Sequence, residues 1–298
     1  MLYKTKLVHC LIVSFFMIWV LSFVLIGQAF SENLPVIKKR GVLRHLGVPY
    51  ANFVTGSGDG LDVEVVRLFA QHLGVKYQYI KTSWKDAIGD LTGKKVKTRG
   101  NDIEIMGEVP IKGDIIANGM TILAWRNKIV DFSIPAFPTQ VWLIARAGSS
   151  IKPINPSGDM DTDISMVKAL LRNREVMVKL NTCLAPGLYR LEETGAKFKF
   201  FKGNLNELAP AIINGEAETT LLDVPDALIA LEKWPGQIKV IGPISPPQTM
   251  GYAFSKTSPE LRDAFNRFFK QCRKDGTYLF LVKKYYPSVF MYYPDFFK

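Results

Sequence analysis

Twice along this chain a short apolar run is followed by a segment with helical spacing and then by a second apolar run, and an extended stretch containing prolines separates the two occurrences. In the first, GVLRHLGVPY (41–50) reads as a buried strand ending at Pro49. GDGLDVEVVRLFAQHLG then sets Leu61, Val65, Leu68 and Phe69 on one helical face, with Gly74 as the stop, and VKYQYI (75–80) alternates as a strand. SWKDAIGDLTG predicts a turn and a short helix, and DIIANGMTI (114–122) a further apolar strand. In the second occurrence REVMVKL (174–180) reads as strand, PGLYRLEETG (186–195) as helix, KFKFF as strand, NELAPAIING (206–215) as helix and ETTLL (218–222) as strand. Successive strand, helix and strand bury their apolar faces by forming a parallel sheet covered by helices. Two such units predict an α/β protein of two lobes, and 298 residues at 48% hydrophobic content give each lobe enough chain for a core.

FSIPAFPTQVWLIARAG leaves the first unit, and IGPISPPQTMGYAFS leads from the second into a last amphipathic helix, SPELRDAFNRFFKQCRKDG. The pattern predicts two crossings between lobes: residues 32–137 begin lobe 1, 138–248 form lobe 2, and 249–298 return to lobe 1. Open α/β sheets bind ligands at the carboxyl ends of their strands, so the cleft between the lobes is the expected site.

Residues 1–31 stand apart. Lys4 and Lys6 precede an apolar stretch from Leu11 to Ile26, and the small residues Gly27, Ala29 and Ser31 follow. This reads as a secretory signal peptide cleaved after Ala29 or Ser31, which makes the mature protein periplasmic or extracellular. The alternative is an uncleaved membrane anchor, because the stretch approaches the length needed to span a bilayer. Cys10 precedes the apolar run and is badly placed to carry a lipid. Cleavage takes the formal charge from +11 to +9, since Lys4 and Lys6 are the only charges removed. A basic surface outside the cytoplasm suits anionic ligands, a membrane surface or an acidic partner, and nothing specific points to nucleic acid. The densest basic run, KKVKTRG (94–100), reads as a solvated loop, with a docking patch as the alternative. Cys183 and Cys272 remain in the mature chain, to be paired or left reduced.

Five blocks in order resemble the family 3 extracellular solute-binding proteins, the polar amino-acid receptors of ABC importers. They are GLDVEVVRLFAQHLG, SWKDAIGDL, GMTILAWRNKIVDFS, LLDVPDALIAL and YAFSKTSPELRDAFNRFFKQCRKDGTY. The resemblance implies the type II periplasmic-binding-protein-like fold, two-lobed and α/β. It also implies a small-molecule ligand (an amino acid or small carboxylate), the membrane permease of an ABC importer as partner, and no cofactor. Phe69 departs from the smaller aliphatic usual at its place, and Leu123 and Trp125 replace the Thr and Glu often found there, which makes the pocket wall more apolar.

Carried onto matching positions, the resemblance implies that Gly119 offers a backbone group, Thr121 a hydroxyl and backbone contact, and Arg126 a two-pronged grip on the ligand carboxylate. A guanidinium suits that task because its planar fork matches both carboxylate oxygens, which a lysine cannot reproduce. Taken from spacing alone, Arg126 reads first as an exposed turn charge beside Asn127 and Lys128. Asp223 lies where such receptors place the acid for the ligand's amino group, but two residues before Pro225 it also suits a helix N-cap. Thr182, in LNTCLAPG, lies where relatives carry a turn over a helix N-terminus, and it reads equally as an N-cap. Trp84 matches an aromatic that packs on the ligand; Tyr50 and Phe53 are cleft or core.

Residues 96–112 form an insertion of open role relative to the resemblance, and the aromatic tail YYPSVFMYYPDFFK is expected to pack on the first lobe. Catalytic signals are weak. His45 falls in a strand, His72 on the first helix and His9 in the signal, so neither a zinc site nor a histidine-based triad is indicated. The expectation is a receptor without catalytic residues. A cyclohexadienyl-dehydratase-like enzyme on the same fold is the runner-up, and a ligand-sensing accessory module the third reading.

Overall fold

Residues 33–297 are described by a computed structural model; the expected signal peptide lies outside the described residues. The chain begins with α1 (Leu34–Arg40) and β1 (Val42–Gly47), followed by α2 (Leu61–Leu73), whose apolar stripe is buried and which stops at Gly74. Next come β2 (Lys76–Lys81), α3 (Ala87–Thr92), β3 (Lys94–Arg99), β4 (Asp102–Glu108), β5 (Ile115–Thr121), α4 (Ala124–Asn127), β6 (Val130–Phe132) and β7 (Phe137–Thr139). A second stretch holds β8 (Val141–Arg146), α5 (Met160–Ala169), β9 (Glu175–Val178), β10 (Lys197–Phe200), α6 (Leu208–Ile213), β11 (Thr219–Asp223), α7 (Val224–Lys233) and β12 (Ile238–Pro243). The return is β13 (Gln248–Ser255), α8 (Pro259–Lys274), α9 (Thr277–Tyr285) and α10 (Val289–Tyr292).

Two main sheets result, one per lobe, beside the two-stranded β3-β4 hairpin. The first has the order β2-β1-β5-β13-β6, with β7 also on β13; β1 runs parallel to β2 and β5. The second has the order β10-β9-β11-β8-β12, with β9 parallel to β10 and β11. The chain passes between the sheets at Gln140 and again at residues 244–247, and these crossings are stitched together. Gln140 Nε2 donates to the Ser245 carbonyl at 2.7 Å, and Val141 N–H to Ser245 Oγ at 3.0 Å.

The buried apolar residues of the two lobes form one continuous core. In the first lobe, α8 buries Leu261, Phe265, Phe268 and Phe269, and the Phe269 ring meets Tyr278 of α9 at 4.6 Å. Asp114, fully buried, is held by Arg40 at 2.6 Å and Arg44 at 2.7 Å, which ties α1 and β1 to the start of β5. The aromatic tail packs on the first lobe through Phe137–Phe297 (5.6 Å), and Tyr292 also reaches Trp142 of the second sheet (5.5 Å). Among the described residues no helix is long and apolar enough to cross a membrane. Cys183 and Cys272 are both unpaired, buried thiols.

Three local expectations are corrected. Residues 186–195 form two 3-10 turns in place of a helix, because Pro186 and Gly187 open the segment and Arg190 turns left-handed (φ 55°). The basic run 94–100 is largely strand β3, paired with β4 from Lys94↔Glu108 to Arg99↔Asp102, so the inserted residues make a hairpin rather than a loop. The last helix of the second unit is shorter than read from sequence: its first turn is 3-10, fixed by the reciprocal Asn204 and Glu207 capping box.

Candidate functional site

Four strands deliver the candidate residues. Thr121 ends β5, Asp223 ends β11, Tyr50 follows β1, and Thr182 and Cys183 follow β9. All four strands run parallel to a neighbour, so these side chains stand at carboxyl ends, where the fold leaves backbone groups free to meet a ligand.

Arg126 lies on α4, immediately after β5, and is 2% exposed. Its Nη1 donates to the Thr121 carbonyl at 2.7 Å, and its guanidinium sits 5.2 Å from the Trp125 ring centroid. Burial lowers its pKa, while Cys183, Tyr189 and Asp223 of the second lobe act on it in the opposite sense. Arg126 Nε and Thr121 Oγ1 are both buried with no hydrogen-bond partner among the described residues. The Thr121 hydroxyl lies near the Cys183 thiol, without hydrogen-bond geometry. Two buried donors without acceptors, on residues joined by the Nη1–carbonyl bond, are a costly arrangement that an incoming carboxylate would satisfy.

Asp223 faces this cluster from the other lobe. It occupies the N-cap position of α7 with no side-chain cap hydrogen bond; its carboxylate is turned instead to the Tyr50 hydroxyl and to Cys183 Sγ, which donates at 3.3 Å. Burial pushes its pKa up to about 6, an effect moderated by the Tyr50 and Cys183 contacts, by the Asp226 backbone N–H at the start of α7 and by the Arg126 charge. Because the folded-state pKa lies above the ordinary carboxylate value, the stabilising contribution is complete below about pH 4 and is lost as pH rises through about 6. The unfolding free energy of Asp223→Asn, relative to the native protein, is therefore expected to improve by about 1–3 kcal/mol between pH 4 and pH 7. Denaturant titrations across that range check it; a flat difference would show that Asp223 ionises in the folded protein as it does in solution.

Gly119 has φ +66°, and a Cβ there would lie 2.3 Å from the Phe53 ring. Its N–H donates to Asp62 Oδ2 at 2.7 Å, so in this conformation that group is committed to the first turn of α2. The acid of the GLDVEVV block thus holds the turn that shapes the pocket, and burial pushes its pKa up to about 7. Thr182 caps no helix: its hydroxyl donates to the Lys179 carbonyl at 2.8 Å and accepts from Leu184 N–H at 3.1 Å, which fixes a local turn. Tyr50 stacks on Phe53 at 6.2 Å and meets half-buried Trp84 edge-on at 5.5 Å. Phe53 is buried against Phe137 and Tyr286, which makes it core.

Outside this cluster the cleft continues as three adjoining hollows. One of about 500 Å³ is lined by Trp84 and Asn206, one of about 360 Å³ by Trp84 and Trp125, and one of about 260 Å³ by Trp125 and Pro186; Asn181 borders all three. Ala51 N–H donates to Asn206 Oδ1 at 2.8 Å and closes the back of the cleft from lobe to lobe. Cys183, read from sequence only as a thiol, and Tyr189, which has no sequence signal beyond proximity to Thr182, also face the cluster.

The profile of the bacterial extracellular solute-binding proteins, family 3, matches residues 111–288. The L-cystine-binding protein TcyJ of Escherichia coli K12 is 24% identical over 266 residues, covering 87% of this chain and 88% of its own. The membrane-bound lytic murein transglycosylase F of Desulfosudis oleivorans is 25% identical over 233 residues, 77% of this chain, which spans only 44% of that enzyme. Among solved structures, a variant of ArgBP from T. maritima superposes with a TM-score of 0.67 at 22% identity, covering 86% of this chain and 99% of its own. An ancestral amino acid-binding protein described as a precursor of cyclohexadienyl dehydratase gives 0.65 at 26%, covering 85% and 98%. These neighbours have the type II two-lobed architecture, and this chain shares their fold. With more than half of its length matched by the profile and its fold shared with amino-acid receptors, the chain belongs to the family 3 bacterial extracellular solute-binding proteins.

Proposed function

We propose that this protein is an exported receptor that closes on a small carboxylate-bearing solute, an amino acid or close analogue, and delivers it to the permease of an ABC importer. The observation that carries this reading is the pair of buried donors without acceptors, Arg126 Nε and Thr121 Oγ1, set in the first lobe opposite the Asp223 carboxylate of the second. The guanidinium and hydroxyl would take the carboxylate, and Asp223 the ammonium, once Tyr50 and Cys183 yield their hold on it. Such a ligand touches both lobes, so it favours the closed arrangement through contacts that an open one lacks. Export rests on the signal-like residues 1–31.

A thermal-shift screen of amino acids and small carboxylates tests the reading: ligand at a hundredfold above Kd should stabilise the protein by about 2.7 kcal/mol. Small-angle scattering with a saturating hit should give a smaller radius of gyration, and an unchanged profile would remove closure. Because an ammonium needs the ionised carboxylate, affinity should rise with pH through about 6, and Asp223→Asn should flatten that rise.

One observation supports a dehydratase-type alternative: a buried carboxyl with pKa about 6 is suited to proton transfer near neutrality. Chemical recovery of the bound compound separates the readings. A receptor returns it unaltered, and an enzyme returns a product.

A further inference from the structure

The two larger hollows outside the Arg126 cluster are lined mainly by cations, whereas the smallest carries Glu192 and no basic side chain. Six lysines line the two larger ones, Lys81, Lys85, Lys95, Lys97, Lys179 and Lys202, against a single acid, Glu207. Glu207 is occupied by the Asn204 backbone and amide at 3.0 and 2.8 Å. Lys179 donates to the Gly203 carbonyl at 2.5 Å; Lys85, Lys95, Lys97 and Lys202 are exposed and belong to no ion pair among the described residues. Glu104 stands opposite Lys97 in the hairpin register but does not line the hollow, so the wall itself remains cationic. Lysines crowded along a concave surface repel one another, and a cleft with apolar walls focuses their field on whatever enters.

The hairpin is what makes this wall. Lys95, Val96, Lys97, Thr98 and Met106 come from β3 and β4, and the hairpin end is tied to the Arg126 region by Lys128–Asp102 at 3.0 Å. Trp84 and Trp125 stand between the lysines and the inner cluster: Trp84 touches Tyr50, and Trp125 lies under Arg126. The outer space, about 500 and 360 Å³ in two adjoining hollows, exceeds what the side chain of a single amino acid fills.

We propose that this outer cleft is a second subsite, which takes an additional anionic oxygen group, carboxylate or phosphate, on a solute longer than a simple neutral amino acid. The inference rests on the carboxylate reading of Arg126 for the other end of the ligand. The ligand runs from Arg126 past the two indole faces to the lysines, and a cationic side chain is repelled.

Calorimetric titration of the purified chain with aspartylglutamate, O-phosphoserine and neutral alanylglutamine tests this. At low ionic strength at least one acidic probe should bind tenfold or more tightly than alanylglutamine, and the gap should shrink in about 0.5 M salt. Tight binding of the dipeptide points to carboxylate recognition, and of phosphoserine to phosphate. Lys95→Gln with Lys97→Gln, both on the exposed hairpin, should reduce acidic-probe affinity about tenfold without changing the melting temperature or any neutral-probe binding. Lys85→Gln with Lys202→Gln should act likewise from the other side of the cleft. Acidic probes that bind no better than the neutral one, or not at all, overturn the proposal, as does indifference to both lysine pairs. Loss with the lysine variants but not with Arg126→Lys would keep the outer subsite and remove the inner carboxylate pocket; acidic-probe binding that depends on Arg126 and on neither lysine pair would do the reverse.

Discussion

Gly119→Ala is expected to cost about 2–5 kcal/mol of stability, a large share of what holds a domain folded. Two independent penalties meet at this position. The residue has φ +66°, where an L side chain costs about 1–2 kcal/mol, and its Cβ would enter the Phe53 ring at 2.3 Å. Phe53 has little room to retreat, since Phe137 and Tyr286 pack on it with ring centroids 5.2 and 4.9 Å away, so the overlap adds about 1–3 kcal/mol. Gly236 supplies the control: φ is +73°, nothing lies within 4 Å of its Cβ position, and alanine there should cost only the backbone part. Urea unfolding of the two variants separates the penalties. Equal losses at Gly119 and Gly236 would mean that Phe53 does not press on the pocket turn.

Arg126→Lys is the second large effect, and it falls on affinity rather than on the fold. Lysine keeps the charge and can still reach the Thr121 carbonyl, but it loses the planar fork and with it the unpartnered Nε donor. Loss of one charge-assisted contact costs about 1.5–3 kcal/mol, which is tenfold to more than a hundredfold in Kd. Calorimetry with the best ligand from the screen measures it. Unchanged affinity would remove Arg126 from the carboxylate role.

The sheet-forming segments were legible because each carries an apolar run of its own. β5 is buried throughout and β11 likewise, and each carries an apolar run, Ile115–Ala117 and Leu221–Leu222, that stands out in the sequence. The hairpin was not legible, for a physical reason: β3 is a row of Lys95, Lys97 and Arg99 with only Val96 between them to suggest a face, and β4 is largely exposed. A strand that buries little leaves little hydrophobic signal. Within the site, the local residues Gly119, Thr121 and Arg126 could be named from one block of sequence. The Tyr50 to Asp223 contact spans 173 positions and depends on how the two lobes meet. The reuse of Asp62 to hold the Gly119 N–H likewise joins residues 57 apart, and no local pattern records that distance. The dual character of Asp223 was visible as an ambiguity, and its geometry favours the cleft: it has the N-cap position, yet its oxygens are given to Tyr50 and Cys183.

In the proposed receptor Arg126 and Asp223 hold the two ends of an amino-acid headgroup across the cleft. Calorimetry on the best-binding amino acid from the screen, compared with its carboxamide and its N-acetyl derivative, tests this. Amidation removes the charge offered to Arg126, and acetylation removes the ammonium offered to Asp223, while both leave the side chain intact. The account predicts that each change weakens binding at least tenfold, and that the carboxamide binds Arg126→Lys no worse than it binds the native protein. Full affinity for the carboxamide in the native protein would contradict it.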